Sequence, residues 1–304
     1  MDLHILGCGS ATCSLRHMPS CQVVNFRDTL LMIDCGEGAQ LNLRRHSLKF
    51  HRLRHIFISH LHGDHVLGLP GLVSTLDMLR FTGTLTVHTF ADGIAVLKRV
   101  IDFFDRERGF TLEFNAISPD GGETLVDTNG YTVSTFPLFH RVPCVGFLVK
   151  EKPGLRHIDR EACNYHGVPP YLMNDIRAGA DFVTSDGRVI PSTHLTRPAD
   201  PSHSYAYCSD TMFDERVAQS VAGVDWLYHE TTYGDDCIEK ARARGHSTAR
   251  EAATIAQMAG VKRLLIGHYS KRYIDSGELA NQAREVFPNV TDVNEGMVFD
   301  LNKP

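Results

Sequence analysis

The sequence predicts an α/β fold, and three observations carry that prediction. With 304 residues and 42% apolar content, the chain can bury a full core, as one large domain or two modest ones. Strand-length apolar runs and helix-length amphipathic runs alternate along most of it. His or Asp also stands at the C-terminal end of one strand signal after another, where open α/β sheets place their sites.

Taken in order, residues 3–8, 21–26 and 30–34 are apolar or alternating runs of strand length, joined by tight turns. Gly36-Glu37-Gly38 opens an amphipathic stretch over 39–46, and the strand signal at 55–59 delivers His60 at its end. Residues 63–80 read as helical, with Pro70 in an early turn or at a kink. Signals at 85–89, 94–104, 111–117 and 131–139 alternate between strand and helix, the last ending on His140, and 145–150 is a further strand. From 151 to 202 the composition changes, punctuated by Lys152-Pro153-Gly154, Val168-Pro169-Pro170 and Arg197-Pro198-Ala199-Asp200-Pro201. Two short helical signals, 158–166 and 171–178, precede a hairpin turning at Asp186-Gly187, so this segment reads as an insertion without a large core. Alternation then resumes with strands at 204–208 before Asp210, 226–229 before Glu230 and 263–267 before His268. A helix at 248–260 has Ser247 as its expected cap, and 296–301 closes the fold.

No apolar run reaches the ~18 residues needed to span a bilayer, and the N-terminus lacks the pattern of a secretion signal, so a cytoplasmic protein is expected. Eight scattered cysteines without a C-x-x-C pair argue against a zinc ribbon, and Cys8, Cys35 and Cys208 at strand ends read as packing residues. A formal charge of −5 disfavours nonspecific nucleic-acid binding driven by net charge. Local basic clusters remain around 44–54, 150–160 and 240–244.

Chemistry concentrates in His60-Leu61-His62-Gly63-Asp64-His65, directly after a strand and before a helix. Imidazole nitrogens and carboxylate oxygens suit zinc or manganese. A turn at this point lets His60 and His62 grip one ion while Asp64 and His65 grip a neighbour. Four residues cannot complete two coordination shells, and His140, Asp210 and His268, each at a strand end, are the candidates to do so. Asp210 is the candidate bridge, since one carboxylate can span two ions. Two ions about 3.5–4 Å apart activate water for hydrolysis of phosphodiesters, amides or esters, so the motif specifies the reaction type better than the substrate. On its residues alone, His246 reads as a helix-entry residue beside Ser247.

The motif resembles the signature of the metallo-β-lactamase superfamily. Within it the chain is similar to the ribonuclease Z family, which trims the 3′ trailer of precursor tRNA. The likeness runs through Gly7-Cys8-Gly9-Ser10, Ile33-Asp34-Cys35-Gly36-Glu37-Gly38, Ser209-Asp210-Thr211, His229-Glu230-Thr231-Thr232, Gly245-His246-Ser247-Thr248 and His268-Tyr269-Ser270-Lys271-Arg272-Tyr273. It implies a four-layer αββα sandwich over 1–304, with 151–202 as a protruding arm that grips tRNA. It implies two zinc ions per subunit, one held by His60, His62 and His140, the other by Asp64, His65 and His268, with Asp210 bridging. Asp64 would orient or deprotonate the attacking water species. His246, steered by Glu230, would stabilise developing charge or protonate the leaving 3′ oxygen. Ser270 and Arg272 would contact phosphate near the scissile bond, and Lys150, Lys152, Arg156, Arg160 and Arg177 would serve the arm. A homodimer is implied by the resemblance alone.

Two departures stand out. The arm carries Val168-Pro169-Pro170-Tyr171-Leu172 where a Gly-Pro step is common in the family, and the loop after Gly9 reads Cys13-Ser14-Leu15-Arg16-His17-Met18 where a Pro-x-Lys-x-Arg-Asn loop is common. The reading that competes with tRNA processing is a small-molecule phosphodiesterase or another hydrolase of the same fold. A nonenzymatic RNA-binding module is a third, disfavoured by the intact ligand set.

Overall fold

The computed structural model describes all 304 residues, Met1–Pro304. They divide into two compact units, one comprising Met1–Asp127, Val133–Val149 and His203–Pro304, the other Thr128–Thr132 and Lys150–Ser202.

The first unit is built on two seven-stranded sheets. One contains β1 (Asp2–Gly7), β2 (Cys21–Phe26), β3 (Thr29–Ile33), β4 (Leu53–Phe57), β5 (Thr84–Phe90), β6 (Thr111–Ile117) and β18 (Val298–Asp300), in the order β18-β1-β2-β3-β4-β5-β6. It is antiparallel from β18 to β3 and parallel from β3 to β6. The other runs β17-β16-β15-β14-β9-β8-β7. Its strands are β7 (Thr124–Asp127), β8 (Tyr131–Leu138), β9 (Cys144–Glu151), β14 (Ser204–Cys208), β15 (Trp226–Glu230), β16 (Arg263–Gly267) and β17 (Val290–Asp292), with β14 to β17 parallel.

The sheets pack face to face. Phe57 on β4 meets Phe147 on β9 with ring centroids 5.4 Å apart, and the Tyr205 hydroxyl on β14 donates to Gln22 on β2. The outer face of the first sheet is covered by α1 (Ala39–Arg45), α3 (Leu69–Met78) and α4 (Ala91–Phe104), whose Leu43, Leu72, Leu76 and Leu97 join one apolar cluster with Val23, Met32, Ile56 and Val87. Strands buried on both faces read as near-continuous apolar runs, as the sequence of β3 does. On the outer face of the other sheet lie α8 (Glu215–Ser220), α10 (Ala249–Ala259) and α11 (Gly277–Arg284). The architecture is therefore four layers, αββα.

Several local readings shift. The helical run expected over 63–80 breaks into α2 (Gly63–Val66) and α3, with Pro70 in the first turn of α3, where its missing N–H costs nothing. Ser247 is not the cap of α10. Thr248 is, in a reciprocal box with Glu251, while the Ser247 hydroxyl donates to the Thr211 carbonyl at 2.7 Å. The short strands β7 and β17, together with α8, α9 (Ile238–Arg244) and α11, were not anticipated. Their turns are too short or too polar to raise a periodic signal.

The second unit contains α5 (Arg160–Tyr165), α6 (Met173–Arg177) and α7 (Ser192–Leu195). It also holds two small antiparallel pairs: β10 (His157–Ile158) with β13 (Thr196–Arg197), and β11 (Phe182–Val183) with β12 (Val189–Ile190). Cys163, Val168, Ile176, Phe182, Ile190 and Leu195 form a small core of its own.

One feature of the sandwich interior is titratable. The Asn115 amide donates to His88 Nδ1 at 3.0 Å, so His88 carries its proton on Nε2 and donates to His55 Nδ1 at 3.1 Å. His88 is 2% exposed and stacks on Phe57; burial and then the neighbouring His55 press its pKa down to about 3. The unfolded chain has the higher pKa and binds the extra proton. Stability present above pH ~6.5 is therefore lost as pH falls toward 3, by about 2 kcal/mol between pH 7 and 5. Urea unfolding of wild type and His88→Gln at these two pH values measures it. Wild type should lose about that much more than the variant; parallel losses would exclude a neutral buried His88.

Candidate metal centre

The strands converge their C-terminal ends on one edge of the sandwich. His60, His62, Asp64 and His65 follow β4, His140 follows β8, Asp210 follows β14, Glu230 ends β15 and His268 follows β16. Two donor groups result, His60, His62, His140 and Asp210 in one, Asp64, His65 and His268 in the other. Within the first, His60 Nε2 lies 2.9 Å from His62 Nδ1, and His140 Nε2 lies 3.3 Å from the same atom. Within the second, His65 Nε2 is 3.3 Å from His268 Nε2 and 3.5 Å from Asp64 Oδ2. Ligand atoms on a tetrahedron of radius ~2.05 Å stand roughly 3.3 Å apart. Asp210 lies between the groups, with Oδ2 3.6 Å from His60 Nε2 and Oδ1 3.1 Å from His268 Nε2.

The outer nitrogens of His60, His65, His140 and His268 each have a partner, which directs Nε2 of these four toward the centre. His140 Nδ1 donates to the Gly245 carbonyl at 2.6 Å, an acceptor only, so the lone pair of His140 must be on Nε2. His65 Nδ1 meets Asp34 Oδ2 at 2.7 Å, His268 Nδ1 meets Thr232 Oγ1 at 2.9 Å and His60 Nδ1 meets Ser59 Oγ at 3.2 Å. Gly245 has φ +74°, and a Cβ there would sit 2.9 Å from His140 Nδ1, so only glycine lets this carbonyl orient the imidazole.

The electrostatics suit cations. Burial first, and the neighbouring imidazoles after it, push His60 well below its ordinary pKa, which favours the neutral form a metal donor needs. Burial also lowers His62 and His140. Burial would depress His65 too, yet Asp34, Asp210 and Asp64 together push it well above its usual value. These three carboxylates make a well of negative potential. Burial would raise Asp64, but His65 and His268 hold it far below the usual carboxylate range. Asp210 Oδ1 is buried without a hydrogen-bond donor, an arrangement a divalent cation would satisfy. An all-nitrogen-and-oxygen donor set of this kind fits zinc or manganese.

Beside this set stands a buried ion pair. Glu230 Oε1 lies 3.0 Å from His246 Nδ1, and its carboxylate also accepts from the Thr211, Thr232 and Ser247 amides and the Thr232 hydroxyl. Burial would raise Glu230, but His246, then the charge of His268 and the Thr232 hydroxyl, lower it to about 2. Burial would lower His246, but Glu230 and then Asp210 raise it to about 9, so it is protonated at neutral pH. His246 Nδ1 is 3.9 Å from Asp210 Oδ2.

Of the proposed substrate contacts, Ser270 is half-buried and donates its amide to the Thr232 carbonyl at 3.3 Å, while Arg272 pairs with Asp236 at 3.6 Å and meets Cys237 Sγ. Arg177 lies in the second unit, where its Nε donates to the Arg156 carbonyl at 3.0 Å. There it lines a shallow concavity of about 530 Å³ with His157, Ile158, Arg197 and Pro198. Sequence spacing did not single out Arg197, which the β10–β13 pairing sets opposite His157. It also passed over Asp34, fully buried and left-handed at φ 56°, which accepts from Ser59, Tyr207 and His65. An aspartate closing an apolar strand just before a glycine turn was the available signal.

The family model described as Anti-Pycsar protein Apyc1 matches residues 1–88. Over 296 residues the chain is 47% identical to a ribonuclease Z of Parabacteroides distasonis, covering 97% of each chain. The chain belongs to the ribonuclease Z family. A ribonuclease Z of Bacteroides fragilis is 46% identical over 300 residues, 99% of both chains. Among solved structures, the short form of human tRNase Z superposes with a TM-score of 0.71 at 24% identity over 99% of both chains. A metallo-β-lactamase-fold protein of Bacillus subtilis gives 0.69 at 18%, over 98% of both. These likenesses share the fold, and family membership implies a metal cofactor, for which the histidines and aspartates above supply the donors. No helix is long and apolar enough to cross a membrane.

Proposed function

We propose that the chain is an endoribonuclease that removes the 3′ trailer of precursor tRNA by hydrolysing one phosphodiester bond, with two zinc ions per subunit, as a cytoplasmic homodimer. The observation that carries it is the His246–Glu230 pair set against Asp210 in a chain 47% identical to a ribonuclease Z. The zinc identity rests on the nitrogen-rich donor set, and the dimer and location rest on family resemblance.

When bound, two divalent ions supply Lewis-acid activation of water and neutralise phosphate charge. His60, His62 and His140 would hold one and Asp64, His65 and His268 the other, with Asp210 as the ligand they would share. Asp64 stays ionised, and its Oδ2 accepts from the Ala11 amide at 2.6 Å, which orients it. That acidity favours orienting the attacking water over deprotonating it. His246 uses Nδ1 toward Glu230, which leaves Nε2 to give its proton to the departing 3′ oxygen. Ser270 and Arg272 are proposed contacts to phosphate near the scissile bond. We assign residues 151–202 as the arm for tRNA, with Arg177 among its phosphate contacts.

Metal-quantified wild type and Asp64→Ala, incubated with precursor tRNA and followed by end mapping, test the reading. Wild type should release the intact trailer and the variant should lose at least about 100-fold in rate, as loss of a group on the reacting centre does. Zinc-loaded wild type that hydrolyses a small diester but leaves the trailer attached would favour the small-molecule phosphodiesterase instead.

A further inference from the structure

A second cluster of metal-ligating side chains lies outside the centre just described. Cys8 follows β1, His17 lies in the same loop and Glu295 follows β17, so two distant segments supply a thiol, an imidazole and a carboxylate. Cys8 Sγ lies 3.4 Å from His17 Nδ1, and the same nitrogen lies 3.1 Å from Glu295 Oε2. All three ligand atoms fall within 4.8 Å of one another. Cys8 is fully buried, and the side chains of His17 and Glu295 are 16% and 17% exposed.

Cys35 and Cys208 are fully buried thiols with no such cluster around them. In the metal-free protein the Cys8 thiol has an acceptor in the Val293 carbonyl at 3.5 Å, and His17 Nδ1, with at most one proton, serves Glu295. The convergence of three ligand atoms on one point is what a metal site requires. Around zinc, sulfur at ~2.3 Å and nitrogen at ~2.05 Å stand about 3.5 Å apart, and nitrogen and oxygen about 3.3 Å apart. The two separations from His17 Nδ1, 3.4 Å and 3.1 Å, lie within 0.2 Å of these values.

The surroundings hold the ligands in place. Glu295 Oε1 accepts from the Met18 amide at 2.8 Å and from the Cys8 amide at 3.3 Å, which leaves Oε2 for His17. The His17 ring leans on Tyr269 at 5.4 Å, and Gly9 makes room for it, since a Cβ there would sit 2.8 Å from His17 Cβ. His17 also lines a cavity of about 310 Å³ with Ser10, Arg16, Lys271 and Tyr273.

We propose that Cys8, His17 and Glu295 form a third metal site, for a thiophilic divalent cation such as zinc, with an open fourth position toward this cavity. Binding deprotonates the Cys8 thiol, and the proton passes to solvent. The bound ion ties the 9–18 loop to the C-terminal segment. Because the Ala11 amide of that loop donates to Asp64, occupancy steadies a ligand of the catalytic centre from outside it.

Cobalt(II) tests this, because the catalytic set contains no sulfur and a thiolate-to-cobalt charge-transfer band can come only from a cysteine. The zinc-loaded protein, in a Cys13→Ser, Cys237→Ser background that removes the two cysteines not buried, is exchanged with cobalt. Bound metal is counted and the near-ultraviolet spectrum recorded. One ion more per chain than in Cys8→Ala, with a charge-transfer band that the variant lacks, is the expected result. His17→Gln, at a partly exposed position, should weaken the band and the third ion's retention while keeping the thiol, and it gives the reading if Cys8→Ala does not fold. A third ion that is absent, or a band unchanged in these variants, overturns the proposal.

Discussion

Asp210→Ala should empty both proposed metal positions and lower trailer release by at least about 10³-fold, which corresponds to roughly 4 kcal/mol of lost transition-state stabilisation. The reason is its position between the two donor groups. Its Oδ2 faces His60 at 3.6 Å and His140 at 3.8 Å, and its Oδ1 faces His268 at 3.1 Å and His65 at 3.6 Å. Oδ1 has no other donor, so its burial is compensated only by what the imidazoles hold. Removing the carboxylate leaves four inward-facing nitrogens with no shared anion. Metal per chain after dialysis, measured with the rate, separates this account from a distant effect. A variant that retains both ions and near-normal turnover would remove Asp210 from the bridging role.

His246→Ala is the second large effect, and it should depend on the substrate. On precursor tRNA the rate should fall about 10²- to 10⁴-fold, the range of a lost general acid. On a nitrophenyl phosphodiester, whose leaving group is already a stable anion, the loss should be small and metal content unchanged. Glu230→Gln should show the same pattern with added instability. Its amide nitrogen would face either the Thr211 and Ser247 amides or the Thr232 amide that the carboxylate now satisfies, and each buried unsatisfied group costs about 1–3 kcal/mol. Equal losses on both substrates would mean that His246 serves the architecture of the centre and not proton donation.

The alternation of signals made the α/β class legible, and His60 to His65 made a metal centre legible, because both are local. Strand periodicity and ligand spacing lie within a few residues of one another. The helices α8, α9 and α11 escaped notice since short amphipathic turns carry little periodicity, and tertiary packing stabilises them. Ser247 was mistaken for the α10 cap because Ser and Thr both suit that position, and adjacent residues are told apart only by where their hydroxyls point.

By itself, then, the sequence determined the chemistry of the donors, imidazoles and carboxylates at strand ends, while the pairing of Glu230 with His246 was implied only by the family resemblance. Tertiary structure alone decided which nitrogen of His60, His65, His140 and His268 faces the centre, because that depends on Ser59, Asp34, Gly245 and Thr232, drawn from separate segments. It alone raised His246 and lowered Glu230, since those shifts arise from the pairing of opposite charges, against burial, across 16 residues of chain. It alone brought Cys8, His17 and Glu295 to one point, a convergence that no spacing along the chain could have revealed.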